Sequence, residues 1–179
     1  MEENSQVPFI IPHVTFGDNR GNFCGAPLDM SNDKRLDKKW VQVNTSISIE
    51  SHTIRGLHYQ IPPFEQAKYL KVVHGKIKSM ILCIDRTNSN FANTFTFEVD
   101  KDHAVMVPRG YANGLITLEP NTVIQYFVDN PYYKKGERSI LYSSVKEFDS
   151  LVQEITDTPI LSEKDMNGID FDLQLDFSC

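Results

Sequence analysis

Ile54-Arg55-Gly56-Leu57-His58-Tyr59-Gln60 is the stretch on which the reading of this chain turns. Its mix of apolar and aromatic residues suits an extended strand, yet it carries a guanidinium and an imidazole only three residues apart. Side chains alternate between the two faces of a strand, so Arg55 and His58 are expected on opposite faces. Either the strand bulges or twists at Gly56, or Arg55 works from the rim while His58 points inward.

Similar short runs recur on the C-terminal side, at roughly 67–73, 76–84, 93–99, 103–107, 113–118 and 122–128. Pro62-Pro63, His74-Gly75, Asp85–Asn90, Asp100-Lys101-Asp102, Pro108-Arg109-Gly110 and Glu119-Pro120-Asn121 separate most of them, and these residue types favour turns. Many short strands at regular spacing predict an all-β sandwich or barrel. On the N-terminal side, Val7 to Phe16 reads as β structure interrupted by Pro8 and Pro12, Gly17–Gly21 as a turn, and 24–39 as a loop. Trp40 to Ile49 alternates: Val41, Val43, Ile47 and Ile49 share one face, and Gln42, Asn44, Ser46 and Ser48 the other.

The tail changes period. Val145, Phe148, Leu151, Val152 and Ile155 have helical spacing, with Ser144-x-x-Glu147 as a capping box at the start. Ser162-Glu163-Lys164-Asp165 is expected to begin another helical turn, and the acidic stretch beyond Asn167 to be loosely held. No internal repeat, low-complexity tract or linker divides the chain, so one domain is expected over residues 1–179.

A net charge of -6 argues against a nucleic-acid or membrane-surface role. No apolar run reaches the roughly 20 residues needed to span a bilayer. The acidic, polar start MEENSQVPF does not read as a secretory signal. Cys24, Cys83 and Cys179 form no CxxC pair and suggest neither a zinc site nor a disulfide framework. A reduced, cytoplasmic location is the expectation.

Taken alone, His58 is an ordinary strand histidine, and Arg55 and Lys68 are as readily residues of a solvated strand face. Metal-binding cupins carry an HxH pair, but Gln60 stands where the second His would be, and His13, His52, His74 and His103 are scattered. No metal is therefore expected. Neither GxGxxG, GxxxxGK[ST] nor GxSxG occurs. Tyr126, Tyr132 and Tyr133 flank the Asp129-Asn130-Pro131 turn; they can fill a core, or serve as a general acid where a neighbouring cation lowers the pKa. Asp165 can complete a capping box with Ser162 or orient a His from a distant strand.

Read together, FGDNRGNF (16–23), WVQVNTS (40–46), IRGLHYQ (54–60), Gln66-Ala67-Lys68, VPRGYANG (107–114), TVIQYFVDNPYY (122–133), Gly136-Glu137-Arg138 and LSEKD (161–165) resemble the dTDP-4-dehydrorhamnose 3,5-epimerase family over about residues 14–166. The resemblance implies a cupin-type jelly roll with short C-terminal helices, a homodimer, and catalysis without metal or cofactor. The implied substrate is a nucleoside-diphosphate 4-keto-6-deoxy sugar, in surface-polysaccharide or capsule biosynthesis. By position, His58 is the implied base, Asp165 its orienting carboxylate, Tyr126 the acid on the other face and Lys68 the enolate stabiliser. Arg55, Gln42, Asn44, Asn113, Arg20, Tyr132, Glu137 and Lys164 match substrate contacts, with the segment around Arg20 reaching the nucleotide across a dimer interface. Two positions depart. Asn113 replaces the His of a GFAHG block, and Gly25 replaces a Glu that follows RGxF. These departures leave open dTDP or GDP as carrier, a hexose or a heptose, and inversion at C3, C5 or both. A non-catalytic sugar-binding cupin and a 3,4-ketoisomerase are the alternatives.

Overall fold

The computed structural model describes residues 6–25, 35 and 38–172. Among them, alternating sequence gives twelve strands. These are β1 (Phe9–Pro12), β2 (Val14–Asp18), β3 (Gly21–Gly25), β4 (Gln42–Ser48), β5 (Ile54–Gln60), β6 (Lys68–His74), β7 (Ile77–Cys83), β8 (Thr94–Val99), β9 (His103–Val107), β10 (Tyr111–Thr117), β11 (Thr122–Val128) and β12 (Glu137–Ser139). Two helices follow, α1 (Lys146–Ile155) and α2 (Glu163–Met166). One five-stranded sheet has the order β1-β9-β6-β11-β4, the other β12-β5-β10-β7-β8, and β2-β3 form a separate hairpin. All the ladders are antiparallel. This is the expected all-β, cupin-like sandwich.

Alternation decides what each sheet face touches. Leu70, Val72, Ile77, Ile81, Val105 and Ile124 form the layer between the sheets. Ile54, Leu57, Tyr59, Met80 and Leu82 turn outward from the second sheet and bury Phe148 and Val152 of α1. Burying side chains of that size contributes about 1.5–3 kcal/mol each, which holds α1 in place despite its ten-residue length. On the first sheet, fully buried Tyr69 packs outward with Trp40 and Phe127, and its hydroxyl meets His13 Nε2 at 2.9 Å. That contact and Thr15 Oγ1 donating to Asp102 (2.6 Å) root the β2-β3 hairpin.

Strand β4 turns the other way from a core strand. Its polar residues Gln42, Asn44 and Ser46 face inward, and Val43 and Ile47 are more than half exposed. The inward polar row is the first sign that the sandwich is open and wet at this end.

The face problem at Arg55 and His58 has a local answer. His58 lies opposite Asn113 and Arg55 opposite Leu115, so three steps along β5 match two along β10. The additional residue restores parity and turns Arg55 and His58 into the same cleft. The irregularity sits at Gly56, with φ +102° and a cis Gly56–Leu57 peptide.

Several sequence expectations change. Ser144 does not cap α1: the N-cap is Val145, and Ser144 Oγ donates to Leu141 O and accepts from the Phe171 N–H. The stretch after Asn167 is tied down as far as Phe171, since Ile169 bridges Ile140 and Phe171 packs on the core. The expected 24–39 loop begins after Gly25, where β3 ends; its remainder lies largely outside the described residues, as does Cys179. Cys24 and Cys83 are free thiols.

A Cβ at Gly56 would lie 2.6 Å from the Asn113 carbonyl and 2.7 Å from Gly114 Cα, at a φ that L-residues avoid. Gly56→Ala is expected to lower unfolding free energy by at least about 2 kcal/mol in urea titration. A stability within about 0.5 kcal/mol of wild type contradicts this account of the bulge.

Candidate active site

Strands β4, β6 and β11 of one sheet, β5 and β10 of the other, and the start of α2 wall a cleft of about 630 Å³. The inward parity of each strand supplies its lining: Gln42 and Asn44 from β4, Arg55 and His58 from β5, Lys68 from β6, Asn113 from β10, Tyr126 from β11. Tyr132, Glu137, Lys164 and Asp165 complete it. Arg20 does not line this cleft within one chain. It sits at the tip of the β2-β3 hairpin, ion-paired at 2.6 Å with Asp18 of the same turn.

His58 Nε2 lies 2.6 Å from Asp165 Oδ1, although the residues are 107 positions apart. Asp165 is buried. Burial pushes its pKa up, but hydrogen bonding and charge from His58, the Ser162 hydroxyl and the Gly56 N–H outweigh that and hold it below the usual carboxylate range. An ionised carboxylate only accepts, so Nε2 carries the shared proton, which leaves Nδ1 as the nitrogen facing away from Asp165. Asp165 touches both His58 and its own helix start, although its side chain meets the Ser162 hydroxyl and not the Ser162 backbone N–H that a full capping box would use. Ser162 caps α2 by accepting from the Asp165 N–H, and it also donates to Asp165 Oδ2 at 2.8 Å.

Lys68 is buried, with its Nζ donating only a long 3.4 Å bond to the His58 carbonyl. Desolvation pulls its pKa down to about 8, against the raising effect of Glu137 and with the lowering effect of Lys164. Arg55 differs from this picture of a buried cation: it is exposed, and it donates to Ser48 Oγ (3.0 Å) and the Ile47 carbonyl (2.9 Å), bridging β5 to β4. Tyr126 does not meet the condition of a cation-lowered pKa. Burial and Glu137 raise its pKa, and the nearby Arg55 does not reverse that, so the phenol stays protonated at neutral pH. Among the described residues nothing in its surroundings makes it unusually acidic.

At the mouth, Glu137 accepts from Lys164 (2.7 Å) and from the Tyr132 hydroxyl (2.9 Å). Burial raises the Glu137 pKa, but Lys164 and Tyr132 bring it below normal. Gln42 donates to Asn44 Oδ1 (2.6 Å) and accepts from the Tyr132 N–H (3.2 Å). Two residues without an assigned role join the site. Ser46 lines it, as the parity of Gln42 and Asn44 already implied. Gln60 clamps the surrounding loops by donating to Phe64 O and accepting from the Tyr133 N–H, both at 2.6 Å. Among the described residues no cluster of three His, Cys, Asp or Glu side chains could hold a metal, and no helix is long and apolar enough to cross a membrane.

An imidazole held by a carboxylate, a buried cation and a protonated phenol line one cleft, side chains of the kinds that proton transfer next to a carbonyl uses. The comparisons with known proteins bear on the same point. A profile described as dTDP-4-dehydrorhamnose 3,5-epimerase matches residues 6–172. The chain belongs to this family. It is 30% identical over 174 residues to the dTDP-4-dehydrorhamnose 3,5-epimerase of Shigella flexneri, covering 93% of each protein. The Bacillus anthracis dTDP-4-dehydrorhamnose 3,5-epimerase, solved with TDP and PPi bound, superimposes with a TM-score of 0.79 at 28% identity, covering 90% of this chain and 92% of that one. The Legionella pneumophila dTDP-6-deoxy-D-glucose-3,5-epimerase, solved with dTDP-4-keto-L-rhamnose, gives 0.79 at 25% identity, covering 93% and 89%. Family membership makes this chain an isomerase acting on nucleotide sugars.

The buried ammonium of Lys68 works against folding. Its pKa is about 8 in the folded chain against 10.5 for the free side chain, so the unfolded state holds the proton more tightly. At pH 7 the charged form therefore opposes folding, and the opposition fades as pH rises from about 8 towards 10.5. Lys68→Met is expected to raise unfolding free energy at pH 7 by on the order of 1–3 kcal/mol, with the gain shrinking by pH 10. Urea titrations at the two pH values check it; a destabilised variant at pH 7 counts against the burial described.

Proposed function

We propose that this chain inverts C3, C5 or both of a nucleoside-diphosphate 4-keto-6-deoxyhexose, with thymidine diphosphate as the carrier. The observation that carries the reading is the His58–Asp165 contact of 2.6 Å in a cleft that also holds Lys68 and Tyr126. The C4 ketone acidifies the hydrogens on C3 and C5. His58 Nδ1 takes one of them, and the C–H electron pair moves into an enolate whose charge collects on the C4 oxygen. The Lys68 ammonium meets that charge in a desolvated setting, where its attraction is strongest. Tyr126 gives its proton to the opposite face of the carbon and the ketone reforms. Solvent reprotonates the phenolate and takes the proton from the imidazolium. Asp165 acts through His58, holding the tautomer and favouring the imidazolium.

Gln42, Asn44, Arg55, Asn113, Tyr132, Glu137 and Lys164 are the proposed substrate contacts. Arg20 belongs to the proposal only if a second copy of the chain brings its hairpin to the cleft, which makes the working enzyme a homodimer. A cytoplasmic, single-domain enzyme of surface-polysaccharide synthesis fits this reading, and no metal or cofactor enters its chemistry. A GDP-linked 4-keto heptose is the second substrate reading, favoured by Gly25 and Asn113 standing where the family pattern has Glu and His.

Incubation in deuterium oxide with dTDP-linked 4-keto-6-deoxyglucose, and separately with a GDP-linked 4-keto heptose, tests the reading. Deuterium at both C3 and C5 is expected for a 3,5-epimerase, and at C3 alone for a C3 epimerase. Binding without exchange marks a non-catalytic cupin, and a ketone moved to C3 marks a ketoisomerase. His58→Asn is expected to lower exchange at least about 10³-fold. Tyr126→Phe should exchange without net inversion. A second expectation concerns pH: the rate falls as pH rises through about 8, where the Lys68 ammonium is lost, and Lys68→Arg moves that limb upward. A rate that stays flat to pH 10 removes Lys68 from the mechanism.

A further inference from the structure

Among the described residues, three buried side-chain polar atoms have no hydrogen-bond partner: Ser46 Oγ, Asn113 Oδ1 and Ser139 Oγ. Two of them, on Ser46 and Asn113, belong to residues that line the catalytic cleft. Asn113 is only 9% exposed, and its backbone is fixed on both sides, opposite His58 of β5 and Ile81 of β7. Leaving a buried acceptor unpaired costs about 1–3 kcal/mol. Folded proteins rarely accept that except where a ligand supplies the partner.

The chemistry of the atom narrows what it takes. Oδ1 accepts and cannot donate. Diphosphate oxygens, the C4 ketone and the ring oxygen are acceptors too, so none of them can satisfy it. On a 4-keto-6-deoxyhexose the donors are the hydroxyls on C2 and C3. Asn113 sits across the β5-β10 ladder from His58, which puts it beside the sugar rather than the nucleobase. The C3 hydroxyl swings to the other face when C3 inverts, and an amide fixed in a sheet rung cannot follow it. The C2 hydroxyl stays where it is throughout.

We propose that Asn113 Oδ1 accepts the hydrogen of the sugar's C2 hydroxyl, and that Ser46 Oγ donates to the oxygen of the same hydroxyl from the opposite sheet. This rests on the epimerase reading above and adds to it a determinant of the sugar. The amide does not titrate, so the contact is independent of pH, unlike the imidazole of the family pattern at this position.

Thymidine-diphosphate-6-deoxyglucose and its 2-deoxy and 3-deoxy analogues lack the ketone, so calorimetric binding to them is read without turnover. Wild type is expected to bind the 2-deoxy analogue about tenfold more weakly than the parent. Asn113→Ala should bind the parent about tenfold more weakly than wild type does, and should distinguish the parent from the 2-deoxy analogue by less than about threefold. Ser46→Ala should shrink the same discrimination. Equal wild-type affinity for the parent and the 2-deoxy analogue overturns the proposal with no variant needed. An undiminished 2-deoxy penalty in Asn113→Ala, or a penalty confined to the 3-deoxy analogue, overturns it as well. Failure of the epimerase reading shows separately, as absent deuterium exchange by wild type that nevertheless binds these sugars.

Discussion

The contact between His58 and Asp165 joins the middle of the chain to its far end, and much of the site's arrangement depends on it. The imidazole comes from a strand held by neighbours on both sides, β10 and β12, and its position is fixed by the sheet. The carboxylate comes from a four-residue helix that has no core of its own. What fixes the carboxylate is a set of short polar bonds: the Ser162 hydroxyl on one oxygen, His58 on the other, and the Gly56 N–H nearby. Gly56 thus serves two ends. Its backbone makes the bulge that turns His58 and Arg55 to one side, and its N–H helps keep Asp165 ionised. Glycine meets both demands because the opposing β10 backbone leaves no room for a side chain.

Around that pair the cleft keeps its charges unequal. Lys68 is buried and poorly bonded, so its charge is costly at rest and, under the proposed mechanism, available to a developing oxyanion. Glu137 at the mouth is fully engaged by Lys164 and Tyr132, and Asp165 by Ser162 and His58. The anions are spent on positioning, whereas the interior cation is held nearly unpaired. A site built this way favours negative charge that appears during a reaction over charge already present, as the proposed enolate would require. Stability is lost for it, as in other sites that hold a desolvated ion.

Sequence reasoning recovered the strands from 54 to 128 with boundaries within two residues, because two-residue alternation and turn residues are local signals. Eleven of the twelve site residues it named line one cleft, and that grouping was legible from motif order more than from any physical pattern, since each residue alone had a plausible structural role. The failures have physical causes. Ser144 and Glu147 have capping-box spacing, but a 3-10 turn places Ser144 where its hydroxyl serves Leu141 and Phe171 instead. Strand β12 is three residues long, too short to show a period. Of the two readings open for Tyr126, a cation-acidified phenol is the one not met, since desolvation, which depends on packing density around it, acts more strongly. The parity of Arg55 and His58 hinged on one inserted residue, visible only once β10 supplies the ruler.

The order of the site residues along the chain has a consequence for how the protein is made. His58, Lys68, Asn113 and Tyr126 belong to the two sheets, whose strands from β4 to β11 are all present once the chain has grown to Val128. Asp165 comes nearly forty residues later, on a segment that stays put only by docking against strands already formed. During synthesis every strand that lines the cleft therefore precedes the carboxylate that meets the imidazole. Under the proposed mechanism chemical competence would arrive last, with the docking of the tail, after α1 has covered the outer face of the second sheet.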